Sequence, residues 1–247
     1  MTTRYNELSG KKALVLGASE GIGRAIASAF VQEEMEVSIC SRSLSKLEIT
    51  QKEICTHHTI VGDLTKPLSG ISICKEAIKK MGHIDYLVIN TGGPAKGTFE
   101  QVQRQQWEQD FNSLWMSVVE MLQTVLPMMK ERRYGRVLMV TSIAAKKPLL
   151  GLTTSNGLRA GLEGLMRTLV LEYSSFGITF NCLLPGYTNT QRLQQLNLSN
   201  EQITKLVPNG KLADPSELGQ LAVFLCTNFA CSITGQSIAV DGGVNAL

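Results

Sequence analysis

The sequence predicts a single α/β domain built on a doubly wound parallel sheet of about seven strands, with helices on both faces. Short apolar runs typical of buried strands alternate with longer helical patterns over nearly all of the 247 residues. This alternation favours parallel strands joined by right-handed crossovers. The length alone would also allow two small domains. No linker, repeat or low-complexity segment interrupts the pattern, so residues 1–247 are interpreted as one domain.

The first half of the chain supplies four predicted strands, each a short apolar run followed by residues typical of turns. The first strand, Ala13–Leu16, is uninterruptedly apolar and ends at Gly17. The next three are Glu36–Cys40, Thr59–Val61 and Asp85–Ile89. Helices are predicted between them from the spacing of Ile22, Ile26, Ala29 and Phe30, from a polar stretch starting near Ser43, and from about Pro67 to Lys80.

The second half of the chain repeats the pattern with longer helices. A helix from about Gln105 to Arg132, with a bend expected at Pro127, precedes the strand Arg136–Val140. The remaining predicted elements are a helix at about Thr153–Ser175, the strand Ile178–Leu183, a helix at about Pro215–Thr227 and the strand Ser237–Val240. Residues 186–211 are polar and lack a period, so this segment is interpreted as an irregular lid over a substrate pocket.

Composition and charge exclude several classes of function. The 24 basic and 21 acidic residues leave a formal charge of +3, without the clustered cations that a nucleic-acid surface needs. The densest basic spots, Arg132-Arg133 and Lys146-Lys147, are only pairs. No apolar run approaches the length of a membrane span, and the N-terminal stretch has no apolar core of a secretory signal.

The six cysteines and three histidines do not have the spacing of a metal site. There is no Cys-x-x-Cys pair, so we expect no zinc or other metal. Scattered thiols fit a reducing compartment, which favours the cytoplasm.

A glycine-rich turn follows the first predicted strand. The segment GASEGIG at residues 17–23 places Gly17, Gly21 and Gly23 between that strand and its helix. Glycines let the backbone turn tightly and approach a pyrophosphate, which is held at the positive N-terminus of the helix. By itself the spacing is also compatible with an ordinary turn, but its place after a buried first strand favours a Rossmann-type dinucleotide site.

With this spacing and further motifs along nearly the whole chain, the sequence resembles the short-chain dehydrogenase/reductases, in particular the 3-oxoacyl-acyl-carrier-protein reductase-like group. The matching motifs are Asp63-Leu64 after the third strand, Asn90-Thr91-Gly92 after the fourth, the stretch from Asn181 to Thr190, and Asp241-Gly242-Gly243. Ile89 stands where the family's Asn-Asn-Ala-Gly turn has its first Asn. The resemblance implies a nicotinamide cofactor held by Gly17, Ser19, Gly21, Ile22, Gly23, Arg42, Asp63, Leu64, Asn90, Gly92, Arg159, Pro185, Gly186, Thr188 and Thr190.

The end of the second strand favours NADP(H) over NAD(H). NAD-specific sites place an acidic residue there to hold the ribose hydroxyls. This chain has Ser41-Arg42-Ser43 instead, and an arginine suits a 2′-phosphate. Glu20, inside the glycine loop, argues the other way, since NADP-binding relatives often carry a basic residue at that position.

The catalytic positions that the resemblance implies are only half retained. Asn112 and Ser142 fall where the family has its relay asparagine and its carbonyl-orienting serine. The family's tyrosine acid comes thirteen positions after that serine, and its lysine four further on. Those positions hold Ser155 and Arg159. An aliphatic hydroxyl is a far weaker acid than a phenol, whereas Arg159 keeps the positive charge that can clamp the ribose.

Two functions remain open at this point. The first is an NADP(H)-dependent oxidoreductase acting on a carbonyl or alcohol, with Tyr187, Lys146 or Lys147 as possible replacement acids. The second is a cofactor-binding protein with little turnover, acting as a sensor, scaffold or oligomer partner. The resemblance also implies a homotetramer through the helix after Ser155, on which Gly157, Ala160, Gly161 and Gly164 form a small-residue face. Neither nucleic acid nor membrane is an expected partner.

Overall fold

Seven parallel strands form one sheet in the computed structural model, which describes residues 5–94, 96–194 (Arg192 by its backbone only) and 199–246. The sheet order is β3-β2-β1-β4-β5-β6-β7. The strands are β1 Lys12–Leu16, β2 Glu36–Ser41, β3 His58–Val61, β4 Tyr86–Ile89, β5 Gly135–Val140, β6 Ile178–Pro185 and β7 Ser237–Val240. All of the predicted strands are present within a few residues of the expected bounds, and the predicted fold class is confirmed.

Helices cover both faces of the sheet. They are α1 Gly21–Gln32, α2 Leu44–Ile54, α3 Ser69–Met81, α4 Arg104–Phe111, α5 Ser117–Arg132, α6 Thr153–Tyr173, α7 Gln191–Gln194, α8 Asn200–Leu206 and α9 Pro215–Cys226. Apolar residues of α1, α2 and α9 form one core with the sheet. Those of α3, α5 and α6 form a second core on the other face. β4, β5 and β6 are buried along their whole length, so their sequences are mostly apolar, with Arg136, Thr179 and Asn181 as buried polar exceptions.

Two helical predictions need correction. The predicted helix from Gln105 to Arg132 is α4 and α5 joined by a π-helical turn at Asn112–Met116. Residues 186–211 are not irregular throughout, because they contain α7 and α8. Ser199 and Gln202 form a capping box that starts α8. These helices are short and polar, so no apolar period revealed them. Residues 195–198 of this segment lie outside the described residues.

The thiols and the helices of the described residues limit other chemistry. All six cysteines are free, and burial raises the pKa of the Cys40 and Cys182 thiols to about 12. Such thiols are poor nucleophiles at neutral pH. Within the described ranges, no group of three His, Cys, Asp or Glu side chains could hold a metal ion. None of the described helices has both the length and the apolar character needed to cross a membrane.

Candidate active site

The sheet order creates a crevice at the carboxyl ends of β1 and β4. These strands are neighbours, while the chain continues from β1 to one side of the sheet and from β4 to the other. Open α/β sheets bind ligands at such a switch point. The residues that follow the two strands are in contact there, because the Asn90 Nδ2 donates a hydrogen bond to the Gly17 carbonyl at 3.2 Å.

The glycine loop lies against Asn90 so closely that side chains are excluded. Gly17 has a φ of +59°, and a Cβ atom there would lie 2.5 Å from the Asn90 carbonyl oxygen. A Cβ on Gly23 would lie 2.2 Å from the Gly17 carbonyl oxygen. Gly21, with a φ of +57°, lies against Thr190, whose Cγ2 would be 3.3 Å from an added Cβ. A Cβ would therefore collide with backbone at Gly17 and Gly23, and the positive φ of Gly17 and Gly21 also favours glycine.

The N-terminus of α1 opens at this loop. Glu20 precedes the helix in an extended conformation, and its side chain makes no capping hydrogen bond to the first turn. The amides of the first turn therefore have no side-chain cap, and they carry the positive end of the helix dipole. Together with the glycine cradle, this arrangement fits the pyrophosphate of a dinucleotide.

The end of β2 presents cations at the expected ribose position. Arg42 is exposed directly after β2, and Ser43 starts α2 by accepting a hydrogen bond from the Lys46 amide at 3.3 Å. The Lys46 ammonium forms an ion pair with Glu20 at 2.7 Å. The charge of Glu20, which argued against NADP in the sequence, is therefore balanced by Lys46. No carboxylate among the described residues forms an ion pair with Arg42.

The predicted adenine-side residues lie after β3. The Asp63 carboxylate accepts hydrogen bonds from the amide of Thr65 at 3.1 Å and from its hydroxyl at 2.9 Å. Leu64 packs against the apolar core. Thr65, which the sequence reasoning did not single out, thus fixes the orientation of the carboxylate.

Arg159 lies between the carboxyl ends of β4 and β5. Its Nη1 donates to the carbonyl oxygens of Val140 at 2.9 Å and Thr141 at 2.6 Å. Its Nη2 donates to the carbonyl oxygens of Thr91 at 3.4 Å and Gly92 at 3.2 Å. Arg159 is 6% exposed. The guanidinium therefore ties two strand ends together, a role that sequence spacing alone did not indicate.

Ser142 and Ser155 flank this arginine. Ser142 follows β5 directly after Thr141, and its hydroxyl oxygen accepts a hydrogen bond from the Ala144 amide at 3.1 Å. Ser155 is buried in the first turn of α6, four residues before Arg159 and so on the same face of the helix. The structure thus brings three of the predicted catalytic residues to one edge of the sheet.

Asn112 starts the π-helical turn between α4 and α5. Short π-helical segments inside α-helices are frequent at functional sites. The same turn packs on α6 through Trp115, since a Cβ on Gly161 would lie 2.7 Å from the Trp115 ring. Gly161 therefore leaves room for the Trp115 ring of the same chain. The prediction that Gly161 belongs to the outward small-residue face is wrong. A Cβ added to Gly157 or Gly164 would meet no heavy atom of the described residues within 4 Å.

A buried acidic residue that the sequence reasoning missed supports the start of α6. The Asp110 carboxylate accepts a hydrogen bond from the Thr154 hydroxyl at 2.7 Å and from the Gln106 side-chain amide at 2.8 Å. Thr154 immediately precedes Ser155. The Gln106–Asp110 spacing of one helical turn was visible in the sequence, but the partner 44 residues away was not.

The three replacement acids considered from the sequence lie in different surroundings. The Lys146 ammonium donates to the Ser237 carbonyl at 2.9 Å, and the Lys147 ammonium to the Val244 carbonyl at 3.5 Å. Tyr187 packs against the apolar core. Each side chain thus has a structural contact of its own.

The segment after β6 closes the far side of the crevice. The Gly186 amide donates to the Val240 carbonyl at 3.0 Å, and a Cβ on Gly186 would lie 2.6 Å from the Cβ of Asp241. Thr188 is buried and forms a bridge to Ala213. The segment from Pro185 is therefore held against the chain's C-terminal region, and Thr190 is held against Gly21.

The family model described as "Enoyl-(Acyl carrier protein) reductase" matches residues 17–245. The 3-oxoacyl-[acyl-carrier-protein] reductase FabG of Vibrio harveyi is 31% identical and aligns with 96% of this chain and 98% of its own. The chain belongs to the short-chain dehydrogenase/reductase family. The NADPH-dependent reductase BacG of Bacillus subtilis is 27% identical over 96% of this chain and 98% of its own. A solved short-chain dehydrogenase/reductase is 27% identical, covers 98% of this chain and all of its own, and superimposes with a TM-score of 0.88.

Membership of this family confirms the predicted resemblance to the 3-oxoacyl reductase-like group. It also raises the question of which residue of this chain acts as the acid. The family's tyrosine and lysine are expected at positions where this chain has Ser155 and Arg159, and that correspondence stays a prediction from spacing.

Proposed function

We propose that this short-chain dehydrogenase/reductase transfers hydride between NADP(H) and a carbonyl or alcohol of 3-oxoacyl type, through a modified catalytic site. The observation that carries this proposal is that the glycine cradle, Ser142 and the Arg159 guanidinium share the carboxyl edge of β1, β4 and β5. Relatives named as an NADPH-dependent reductase and as 3-oxoacyl-[acyl-carrier-protein] reductases support the cofactor and the substrate class.

The residues of the chain would have the following roles in the reaction. When bound, the nicotinamide supplies or accepts the hydride. Ser142 orients the substrate oxygen through its hydroxyl, and Asn112 supports the proton path. Ser155 is a weak acid, so protonation of the product oxygen is slow. A positioned general acid contributes about 10²- to 10⁴-fold, so its loss slows turnover without abolishing it.

The substrate would enter beneath residues 186–211, which we propose act as a lid within a single domain spanning residues 1–247. The two short helices α7 and α8 give this segment a polar surface, and α7 directly follows Thr190, which lies against Gly21 of the glycine loop. Six free thiols favour a reducing compartment, which supports a cytoplasmic location.

Cofactor titration combined with a panel of ketones and alcohols tests the proposed function. NADPH should bind, and its absorbance at the reduced-nicotinamide band should fall slowly with at least one 3-oxo ester. Binding without any turnover across the panel would favour the alternative of a cofactor-binding sensor, scaffold or oligomer partner.

Cofactor preference is expected to depend on Arg42. NADPH should bind more tightly than NADH, and Arg42→Asp should reduce that preference by roughly 10- to 100-fold, the effect of losing hydrogen bonds to a charged group. Fluorescence titration with both cofactors measures the ratio. Lys52→Asp, an exposed charge reversal near the end of α2, serves as the control. Equal affinities for the two cofactors in the unaltered protein would contradict the role of Arg42.

Assembly is expected to use the outward face of α6. Gly157 and Ala160 are exposed there, and Leu171 is 88% exposed further along the helix. We propose a homotetramer built through this face, so Gly157→Trp should shift the protein toward smaller species in analytical ultracentrifugation. Glu48→Trp on the exposed surface of α2 is the matched control and should leave assembly unchanged. A monomer at micromolar concentration in the unaltered protein would refute the tetramer.

A further inference from the structure

A second cavity lies at the edge of the sheet opposite the candidate active site. It has a volume of about 280 Å³ and lies where β5 and β6 begin, beside the turn that follows α9. Its polar lining includes Arg133, Arg136, Ser174, Thr179, Asn228 and Thr234. Arg136 and Ser142 are six residues apart along β5 and its continuation. A strand rises about 3.3 Å per residue, so the two regions are separated by about 20 Å.

Arg136 is a buried cation at the base of this cavity. It is only 4% exposed, and its guanidinium stacks on the Tyr134 ring, 4.7 Å from the ring centroid. Its Nη1 donates to the carbonyl oxygens of Gly135 at 2.9 Å and Gly177 at 3.1 Å. In the part of the chain that the structure describes, no carboxylate forms an ion pair with Arg136 or Arg133. Arg133 is exposed, and its Nη2 donates to the Ser175 carbonyl at 2.9 Å, whereas Arg136 is buried. Buried charges in proteins are normally paired.

Three further polar atoms around the cavity have no hydrogen-bond partner among the described residues. They are Arg136 Nε, the Thr179 hydroxyl and the Ser174 hydroxyl, all of them buried. Arg136 and Thr179 are directly paired across β5 and β6, so their side chains emerge next to each other on the same face. Buried polar groups in native proteins nearly always have partners, and a missing one indicates an unseen water or ion.

We propose that this cavity binds a phosphate group, either as orthophosphate or as a phosphomonoester. Its polar lining consists of two guanidinium groups, hydroxyls and an amide, with no acidic side chain. Guanidinium groups match the geometry of phosphate oxygens, and hydroxyls supply additional donors. The volume suits a small anion or the head of a phosphomonoester better than a dinucleotide. The proposed site is distinct from the cofactor crevice.

Phosphate binding to the full chain, measured by isothermal titration calorimetry and by thermal unfolding at matched ionic strength, tests this proposal. Sodium phosphate should bind saturably and raise the unfolding temperature, whereas sodium chloride should not. Thr179→Val should weaken phosphate binding by roughly ten-fold, because it removes a hydroxyl donor to a charged ligand. It should not lower the unfolding temperature without phosphate, because that hydroxyl has no partner among the described residues.

Arg136→Gln should abolish phosphate binding. If Arg136→Gln does not fold, Thr179→Val still tests the proposal. Lys130→Gln is the matched control, because Lys130 lies near Arg133 at the end of α5 but does not line the cavity. Phosphate binding that is unchanged in Thr179→Val, or absent from the unaltered protein, would overturn the proposal.

Two further binding measurements identify the ligand and its site. Glycerol 3-phosphate binding more tightly than orthophosphate would assign a phosphomonoester, and the reverse order would assign free phosphate. Saturating NADPH should leave the phosphate affinity unchanged, since the two sites lie at opposite edges of the sheet. Competition between NADPH and phosphate would place the anion in the cofactor crevice and overturn the proposal.

Discussion

Arg159→Met should lower the free energy of unfolding by about 3 kcal/mol, which corresponds to a fall of roughly 10 °C in the unfolding temperature. The guanidinium donates to four carbonyl oxygens at the ends of β4 and β5, and methionine can replace none of these hydrogen bonds. Each buried acceptor left without a partner costs about 1–3 kcal/mol, partly recovered where water can enter. Chemical denaturation with a two-state fit gives the measurement.

The control for this variant is Arg104→Met. Arg104 is the first residue of α4, is exposed, and forms its ion pair of 2.9 Å with Glu108, which is exposed as well. Its replacement should lower the free energy of unfolding far less, as is usual for exposed ion pairs. Equal costs at the two positions would show that the carbonyl contacts of Arg159 do not hold the strand ends together.

Ser155→Tyr combined with Arg159→Lys should raise kcat on a 3-oxo ester by roughly ten-fold or more, a barrier reduction on the order of 1.4 kcal/mol. The double change restores a phenol whose pKa a neighbouring cation can lower, one helical turn away on α6. Either single variant should gain less, because the phenol depends on its cation. Rates should be compared at low temperature, since lysine cannot replace every carbonyl contact of Arg159 and the folded protein will be less stable.

The burial of Ser155 is the main obstacle to this gain in kcat. Ser155 is 5% exposed, and Thr154 beside it is tied to the buried Asp110 carboxylate. A tyrosine ring must therefore find room toward the crevice. If cofactor affinity is intact in the double variant and kcat does not rise, the pocket has been rebuilt for a different proton donor or for binding alone.

The sheet and the cofactor loop could be predicted from the sequence because their signals are local. A continuous apolar run such as Leu138–Val140 marks a strand buried on both faces. The glycines at 17 and 23 occupy positions where no Cβ fits, and Gly21 has a positive φ. The predicted bounds of β6 are too short, because Pro185 has the character of a turn residue. It ends the strand instead, where its missing N–H is tolerated.

Contacts between residues that are far apart in the chain could not be predicted from the sequence. The four carbonyl partners of Arg159 and the hydrogen bond from Thr154 to Asp110 join segments 18 to 68 residues apart. The pairing of Arg136 with Thr179 likewise depends on strand register. The helices α7 and α8 were missed for the opposite reason: they are too short and too polar to show a period.

Transfer of deuterium from NADPH labelled at the nicotinamide C4 into a 3-oxo ester is the most direct test of the proposed hydride transfer. Mass spectrometry of the hydroxy ester product detects the label even when turnover is slow, and Ser142→Ala provides the variant control. We expect labelled product that depends on the protein and falls sharply in Ser142→Ala. Saturating cofactor binding with no labelled product would contradict the proposed hydride transfer.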